Sequence, residues 1–444
     1  MRNGRLAGPS QPRLACHCVE GLNLRIAIVG AGIVGVTTAY ELTLAGHEVS
    51  VFERRGSVAA EGSFANAGLL TAGDIAPWCG PGVPWRVLRQ LFGSQTTARL
   101  GGLGGLAQLP WLWRAWRAGR PDRHISQRRA MQRLAQHSRL RLLELARTLR
   151  LDFEQAPGHL VLLRGESELK AAQRGLALLR DSGAVHELAD LQRCRSIEPG
   201  LNEATALLGG IYFAQDGVGN CRQFAHLLKA EAQRLGVRFH FETQVRAMQP
   251  GAPVTLDLSG PAFSGPESFD AVVVCAGAAA TPLLQRLGVK LPLLAVHGYT
   301  LTAPLRHVDG LATPGPRAGL TDARHRVVIT RMGQRVRVAG IAEIGGDPKH
   351  LAAAPLRLLH RVLDDWFPGA VLSQKAQHWK GARPALPDGP PVLGASGAPG
   401  VWLNLGHGNH GWTLACGSAR VLAETLSGRD AGIDPTGLTL NRLR

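Results

Sequence analysis

Three glycines and one acid near the start of the chain have the types and spacing of a dinucleotide-binding site. Gly30, Gly32 and Gly35 form a Gly-x-Gly-x-x-Gly run, and Glu53 follows close to the distance expected of a ribose-binding acid. The first glycine permits a tight turn, the second lets the backbone approach a pyrophosphate, and the third lets a helix pack closely on a strand. An acid rather than a basic residue at the fourth position favours a free ribose 2′-hydroxyl, so the pattern fits FAD or NAD and disfavours NADP.

The elements that must position these residues are predicted in the required order. Residues 25–29 are apolar and predict a buried parallel strand, residues 33–45 predict a helix that ends at Gly46, and residues 49–52 predict a second strand. The N-terminus of the predicted helix offers free N–H groups and a partial positive charge to phosphates. The complete strand–turn–helix–strand unit is a much stronger signal than a glycine triplet alone.

A second pair of small-residue turns is predicted later in the chain. An apolar strand over 269–274 leads into the turn CAGAAA, and a strand over 400–405 leads into GHGNHG at 406–411 and then a helix over 412–426. The backbone at CAGAAA could approach a nucleotide, and the strand–GHGNHG–helix unit repeats the arrangement of the first unit, so that the helix N-termini of these two units would serve the two ends of a bulky dinucleotide. Residues 290–345 hold short alternating apolar runs, which predict an antiparallel sheet.

These predictions define an α/β fold in which a Rossmann-like (doubly wound) FAD-binding domain is interleaved with a substrate (cap) domain made of an antiparallel sheet and helices. A chain of 444 residues is long enough for two such domains. The predicted segments are 24–84, 205–285 and 383–435 for the nucleotide domain, 85–204 and 286–382 for the cap, 1–23 for a disordered extension and 436–444 for a tail.

Composition limits the compartment and the partners. The seven cysteines are few, scattered and odd in number, which favours reduced thiols in the cytoplasm. No secretory signal or membrane-spanning apolar run is evident in the sequence. Cys16, His17 and Cys18 lack a second ligand pair at zinc spacing, so no metal site is predicted.

The net charge of +17 is concentrated in one segment. Residues 86–150 hold fourteen arginines but only two acids, together with Trp111, Trp113 and Trp116. Tryptophan with arginine suits the headgroup boundary of an anionic membrane, whereas no nucleic-acid-binding signature is present. The alternative is that the arginines solvate ordinary helices and the tryptophans are buried. The sequence thus predicts a cytoplasmic protein, peripheral on the inner face of the cell membrane in the first case.

The chain resembles the FAD-dependent amine and amino-acid oxidoreductases of the D-amino-acid oxidase superfamily, and within it the small-subunit family of bacterial D-amino-acid dehydrogenases. The stretches that carry the resemblance include IAIVGAGIVGVTTAYELTLAGHEVSVFER, SFANAGLLTAGDIAPWCGPGVP, VHGYTLT, GARPALPDGPPVLG and LGHGNHGWTLACGSARVLAETLSGR, which lie within residues 24–430. The first is common to many flavoproteins, and the SFANAG and GHGNHGWTLACGS stretches are more specific.

The resemblance implies FAD as cofactor and assigns its contacts. The ADP half would be held by Gly30, Gly32, Ile33, Val34, Gly35, Glu53 and Arg54, and the adenine by the backbone of Val245. The pyrophosphate and flavin would lie along Ser63, Asn66, Ala67, Gly68, Ala276, Gly277, Gly406, Gly408, Trp412 and Thr413.

Catalytic roles, at the substrate or at the flavin, are implied for four residues: Arg383, Tyr299, His407 and His410. Arg383 lies in a stretch, 381–394, that the sequence predicts to be a loop, and its guanidinium could bind a carboxylate through two hydrogen bonds. Tyr299 is a second candidate contact, although a tyrosine near a strand is often a core residue. His407 would lie at the flavin edge and His410 near the substrate, and Cys416 is predicted to be a packing residue.

Three positions depart from the family pattern: His297 stands where a lysine-like residue is expected, Asn220 where an acid is expected, and His410 is unusual in its loop. The resemblance implies oxidative deamination of a D-amino acid, with electrons passed to a membrane quinone or another carrier. The alternatives are an O₂-using oxidase of glycine, sarcosine or a cyclic D-amino acid such as a hydroxyproline epimer, and a flavoprotein subunit with an assembly or electron-relay role.

Overall fold

The computed structural model describes residues 23–78, 80, 98–101, 104–105, 107–181, 184–306 and 315–443. Nearly all of the predicted N-terminal extension, including Cys16, His17 and Cys18, lies outside these residues. So do residues 86–97 of the basic segment.

A six-stranded sheet carries the glycine motif at its centre. Its strands are β1 (Arg25–Val29), β2 (Glu48–Phe52), β8 (Arg238–His240), β12 (Ala271–Val274), β18 (Val392–Ala395) and β19 (Val401–Leu405). They lie in the order β18-β19-β12-β1-β2-β8, and all neighbours are parallel except β18 and β19. Because β2 and β12 flank β1 on opposite sides, the crevice at the carboxyl end of β1 is the place where such sheets bind ligands.

Helices cover one face of this sheet and a small sheet covers the other. The helices on the first face are α1 (Ile33–Leu44), α3 (Pro121–Thr148), α6 (Cys221–Arg234) and α9 (Gly411–Leu426). They form one hydrophobic core with side chains of the strands, and Cys416 of α9 is buried in it. The second face is packed by β9 (Gln244–Gln249), β10 (Val254–Gly260), β11 (Phe263–Phe269) and α7 (Ala280–Arg286). Within the first core, the buried Glu41 of α1 pairs with Arg141 of α3 and Arg420 of α9, which joins three helices.

The second large element is a ten-stranded sheet. Its strands are β3 (Leu69–Leu70), β4 (Ala98–Leu100), β5 (Ala156–Leu163), β6 (Glu187–Ala189), β7 (Gly209–Val218), β13 (Leu294–Pro304), β14 (Gly319–Asp322), β15 (Val327–Met332), β16 (Arg335–Ile344) and β17 (Gln377–Ala385). The main order is β17-β13-β16-β15-β14-β5-β7-β3, with β4 beside β16 and β6 beside β7. The pairs are antiparallel except β14 with β5 and β4 with β16, which confirms the predicted antiparallel sheet over 290–345.

The remaining helices surround the ten-stranded sheet. They are α2 (Leu109–Ala118), α4 (Glu166–Asp181), α5 (Leu191–Ile197) and α8 (Ala353–Trp366). Short 3₁₀ turns occur at Gly277–Ala279, Ser373–Lys375, Gly408–His410 and Leu440–Leu443. Helix α8 packs its apolar face on the back of the sheet, where Leu359, Val362 and Trp366 are fully buried. The front face is left for loops of the nucleotide-binding part.

One local prediction is wrong. Within the stretch 381–394 predicted as a loop, residues 381–385 belong to strand β17 and residues 392–394 to strand β18. Prolines in the stretch suggested a loop, but β17 is an edge strand of its sheet, and an edge strand tolerates Pro384 because one side of it forms no ladder. The side chain of Arg383 is therefore fixed by sheet geometry.

Among the helices of the described part of the chain, none combines the length and the hydropathy needed to cross a bilayer.

Candidate functional site

A large cavity lies where the carboxyl ends of the central parallel strands meet the front of the ten-stranded sheet. Its volume is about 1880 Å³, and its walls include Gly30 and Glu53 from one sheet and Thr300 and Arg383 from the other. Of the residues predicted to bind cofactor or substrate, all but Gly35, Gly68 and Tyr299 line this cavity. The tertiary structure thus brings together residues that are far apart in the chain.

The glycine turn has the geometry that its sequence predicts. Gly30 has φ +103°, and a side chain there would meet the carbonyl oxygen of Cys275 at 2.9 Å. A side chain at Gly35 would overlap the carbonyl oxygen of Gly30, so this glycine permits α1 to approach the turn. At Gly32 the nearest atom to an added Cβ would be the Ser63 hydroxyl oxygen, at 3.5 Å. Gly32 therefore keeps space open on the cavity side of the turn.

Glu53 is oriented by two backbone donors. The N–H of Ala31 donates to its Oε2 and the N–H of Arg55 donates to its Oε1, both at 2.8 Å. Each oxygen retains a lone pair that can accept a hydroxyl hydrogen. At the start of α1, Gly32 provides no side-chain cap, and Ile33 donates its N–H to Ser63 Oγ at 3.1 Å. This helix start and Glu53 fit the pyrophosphate and ribose of a dinucleotide.

The neighbouring arginine is held by an acid of the same loop. Arg54 Nη2 contacts Glu61 Oε1 at 2.6 Å, and Arg55 Nε contacts the same oxygen at 2.8 Å. Burial raises the pKa of Glu61, but hydrogen bonds from Arg55 and Arg54 outweigh it and hold that pKa below its usual range. The two guanidinium groups therefore stay at the wall of the cavity near Glu53.

Three donors from the ten-stranded sheet fix consecutive carbonyl groups of the SFANAG loop. Thr300 Oγ1 donates to Ala65 O at 3.1 Å, Arg337 Nη1 to Asn66 O at 2.8 Å, and Thr330 Oγ1 to Ala67 O at 2.8 Å. Burial lowers the pKa of Arg337 to about 10, so it stays charged at neutral pH. The sequence analysis did not single out Thr300, Thr330 and Arg337. What these three residues share is their position on the front face of the sheet, which becomes apparent only once the strands are paired.

The GHGNHG loop is also fixed from several sides. His407 is buried and its Nε2 lies 3.0 Å from Ser418 Oγ, while its backbone pairs with Ala385 of β17. His410 Nε2 donates to Ala76 O at 3.2 Å. Burial lowers the pKa of His407 to about 3 and that of His410 to about 4, so both rings are neutral at pH 7.

The first turn of α9 continues this wall of the cavity. Trp412 Nε1 donates to Gly219 O at 3.0 Å, and Thr413 Oγ1 accepts the N–H of Thr71 at 3.2 Å. These two side chains line the cavity and tie α9 to Gly219 at the end of β7 and to Thr71, which follows the SFANAG loop.

Arg383 presents a cation without an acidic partner. Its guanidinium lies across Gly298, where a Cβ would overlap it, and Nη1 donates to Ile341 O at 2.9 Å. Burial lowers its pKa to about 10, and no acidic side chain among the described residues forms an ion pair with it. An unpaired buried cation is costly, so this geometry suits an anionic ligand.

The backbone beside Arg383 is strained. Ile341 has φ +62°, which is a rare conformation for a β-branched residue, and it lies where a register shift separates His297 from Tyr299 on the opposite strand. Such bulges redirect groups next to binding sites. Here the bulge turns the Ile341 carbonyl toward the guanidinium of Arg383.

Tyr299 lies on the opposite face of the sheet from Arg383. Its hydroxyl donates to Glu343 Oε2 at 2.5 Å, and Lys380 Nζ donates to Glu343 Oε1 at 2.7 Å. Its ring is fully buried in the core under α8. The structure thus does not bring Tyr299 to the cavity. Asn220 caps α6 by accepting the N–H of Gln223, whereas His297 does line the cavity.

The charges on the described cavity wall are mostly positive. The acids are Glu53, Glu61 and Asp74, and the cations are Arg54, Arg55, Arg99, Arg246, Arg286, Arg326, Lys349, Lys380 and Arg383. This balance favours anionic groups such as a pyrophosphate and a substrate carboxylate. With the open cradle at Gly32 and the acid at Glu53, it fits FAD.

Comparison with known proteins agrees with this geometry. The family described as "FAD dependent oxidoreductase" (DAO) matches residues 25–425. The chain is 37% identical over 422 residues to a D-amino acid dehydrogenase of Allorhizobium ampelinum, covering 94% of this chain and 98% of that protein. It is 39% identical over 422 residues to a D-amino acid dehydrogenase of Cereibacter sphaeroides, covering 94% and 95%.

A solved structure shows the same fold. The crystal structure of glycine oxidase from Geobacillus kaustophilus superposes with a TM-score of 0.72 at 21% identity, covering 94% of this chain and 99% of that chain. The glycine turn, the acid at Glu53 and the family match over nearly the whole chain lead to one conclusion. The chain belongs to the DAO family of FAD-dependent oxidoreductases.

Proposed function

We propose that this enzyme oxidatively deaminates D-amino acids, so that a D-amino acid and water give a 2-oxo acid and ammonia while two electrons pass to an acceptor. FAD supplies the redox chemistry when bound, since its N5 accepts a hydride from the substrate Cα. The observation that carries the proposal is Arg383, a buried guanidinium in the cavity with no acidic partner among the described residues. The names of the relatives support a D-amino acid as the substrate.

Arg383 would hold the substrate carboxylate and thereby set which hydrogen of Cα is presented. A guanidinium binds a carboxylate through two parallel hydrogen bonds, and such orientation is the main contribution that the protein makes to a hydride transfer. Strand β17, Gly298 and the Ile341 carbonyl fix the guanidinium before substrate arrives. His410 lies near enough to Arg383 for the cation to lower its pKa further. The ring therefore stays neutral and does not compete for the carboxylate.

Replacement of Arg383 tests the proposal. In Arg383→Leu we expect kcat/KM on a D-amino acid to fall by about 30- to 1,000-fold, the equivalent of about 2–4 kcal/mol, with the flavin content unchanged. Activity is measured with an artificial dye acceptor, and flavin by its absorption bands. Arg139→Leu is the control, because Arg139 is a half-buried residue of α3 that does not line the cavity and donates a hydrogen bond to Gln215. Wild-type kinetics in Arg383→Leu, or a wild-type enzyme that oxidises no D-amino acid, would overturn the proposal.

For the electron acceptor we infer a quinone in an anionic membrane, which the enzyme meets through α2. The outer face of α2 exposes Leu109, Trp113 and Trp116 by 55%, 53% and 50%. Leu109 and the buried Trp111 of the same helix also line the cavity. One helix therefore connects an exposed apolar surface with the proposed reaction site. Tryptophan side chains prefer the membrane interface, and each nearby basic residue adds about 1 kcal/mol of attraction.

Sedimentation with vesicles tests the membrane contact. The wild-type protein should sediment with phosphatidylserine-containing vesicles at low salt and less so at high salt, because salt screens the attraction. The double variant Trp113→Ala/Trp116→Ala should stay in the supernatant, whereas Leu140→Ala, an exposed position on α3, should sediment like the wild type. If the wild-type protein stays in the supernatant at low salt, a soluble acceptor or O₂ is favoured, and hydrogen peroxide release distinguishes those two.

A further inference from the structure

An apolar cluster surrounds the end of the cavity where Arg383 lies. Its buried members are Trp111, Ala115, Val296 and Ala385. Val296 is the direct partner of Arg383 across β13 and β17, and Ala385 is two residues farther along the same strand. The guanidinium therefore lies beside an apolar wall.

Four further residues extend this wall into the cavity. Trp78, Leu112, Ala342 and Ile344 pack on the cluster, and all four line the cavity together with Trp111. Trp111 donates its Nε1 hydrogen to Pro292 O at 2.9 Å, so its only polar atom is already bonded. Trp78 lies against the GHGNHG loop, since a Cβ on Gly408 would be 2.9 Å from Trp78 Nε1. The wall thus joins Arg383 to the loop that the flavin is expected to contact.

None of the described acids that line the cavity belongs to this apolar wall. Glu53 and Glu61 bond to the backbone and arginines of the nucleotide-binding part. Burial raises the pKa of Asp74, the third acidic residue on the described wall, to about 6, and the charge of Arg128 offsets part of that rise. Near β16, Glu343 is bonded to Tyr299 and Lys380 and does not line the cavity. The wall itself therefore offers no carboxylate to a substrate with a cationic side chain.

We propose that Trp78, Trp111, Leu112, Ala342 and Ile344 form the subsite for the substrate side chain, and that it selects branched aliphatic or aromatic D-amino acids. The inference rests on the proposed function and specifies the substrate class of the same site. Burial of each additional methylene group in an apolar pocket adds to transition-state binding, whereas a charged side chain loses its hydration there. The subsite therefore discriminates against glycine, D-alanine, D-aspartate and D-lysine.

A substrate series measures this selectivity in the holoenzyme. With the dye acceptor, kcat/KM for D-leucine and D-phenylalanine should exceed that for D-alanine by about tenfold or more. Leu112→Ala and Ile344→Ala should each lower kcat/KM for D-leucine by about tenfold and change that for D-alanine by less than about twofold. Leu140→Ala, which alters an exposed leucine of α3, should change neither. Flavin absorption verifies that each variant is folded.

The outcomes separate this inference from the proposed function. The proposed subsite is wrong if kcat/KM for D-alanine, D-aspartate or D-lysine equals that for D-leucine. It is also wrong if Leu112→Ala and Ile344→Ala lower kcat/KM for D-alanine and for D-leucine equally. Should a variant lose its flavin, the wild-type series decides alone. Absence of activity on every D-amino acid overturns the proposed function instead, and an equal loss on all substrates in Arg383→Leu supports that function whatever the side-chain preference.

Discussion

Two glycines of the same turn are expected to fail in different ways when each gains one methyl group. Gly32→Ala should leave the fold intact and remove FAD binding, whereas Gly35→Ala should destabilise the fold itself. The distinction follows from what each added Cβ would meet: the Ser63 hydroxyl at an ordinary 3.5 Å for Gly32, and the backbone carbonyl of Gly30 in steric overlap for Gly35. The matched substitutions therefore separate a ligand contact from a packing contact.

The magnitudes follow from the local geometry. Gly32 has φ −66° and ψ 177°, which any residue adopts, so its replacement should change the free energy of unfolding by less than about 1 kcal/mol. The methyl group would displace the pyrophosphate from the start of α1 and remove one or two charge-assisted hydrogen bonds, which weakens FAD binding by about 30- to 3,000-fold. Gly35 is inside the helix, where alanine gains about 1 kcal/mol of propensity, but overlap with backbone costs about 1–3 kcal/mol or more.

Thermal unfolding with and without added FAD measures both effects. The wild-type protein should gain thermal stability with FAD because the ligand binds only the folded state. Gly32→Ala should have the wild-type Tm without FAD and gain little when FAD is added. Gly35→Ala should have a lowered Tm before any FAD is added. A Gly32→Ala protein that retains FAD like the wild type would refute the placement of the pyrophosphate at this turn.

Two predictions concern stability. Glu41→Gln should lower the free energy of unfolding, measured in urea, by about 3–5 kcal/mol, because it leaves the nearly buried Arg141 without its main partner. The control Glu166→Gln breaks the exposed pair with Lys170 and should cost less than about 1 kcal/mol. Equal losses in the two variants would contradict the role of the three-helix ion pair. Burial raises the pKa of Glu198 from its ordinary 4.5 to about 7, so the folded state holds the Glu198 proton more tightly than the unfolded state does. The stabilisation of the folded state that follows is fully present below pH 4.5 and is lost as pH rises through 7. Between pH 4.5 and pH 8, the free energy of unfolding of the wild type should fall by about 3 kcal/mol relative to that of Glu198→Gln. Parallel profiles of unfolding free energy against pH for the two proteins would contradict this.

The nucleotide-binding unit could be predicted from the sequence because its chemistry is local. Strand β1, the glycine turn, helix α1 and Glu53 are contiguous, and each glycine has a steric reason that depends on its immediate neighbours. The antiparallel sheet over 290–345 was predictable for the same reason, since the alternation of apolar residues along a strand is a short-range pattern. The excess of positive charge on the cavity wall could be predicted in part from the net charge of +17 in the sequence.

The end of the cavity at Arg383 depends on the tertiary structure. Side chains alternate along a strand, so a bulge decides which face a residue occupies. The register shift between His297 and Tyr299 places the Tyr299 hydroxyl on Glu343, and the positive φ of Ile341 turns its carbonyl to Arg383. No local pattern in the sequence encodes that shift.

Long-range contacts also decided how the loops are held. Thr300, Thr330 and Arg337 are ordinary strand residues in sequence, but sheet pairing aligns them under the carbonyl groups of residues 65–67. Pro384 suggested a loop, and only the position of β17 at the edge of the sheet permits a strand there. The sequence by itself determined that the chain binds a dinucleotide, because that motif is read within about thirty residues. The tertiary structure decided which side chains line the cavity beside Arg383, because strand register and burial are set by distant parts of the chain.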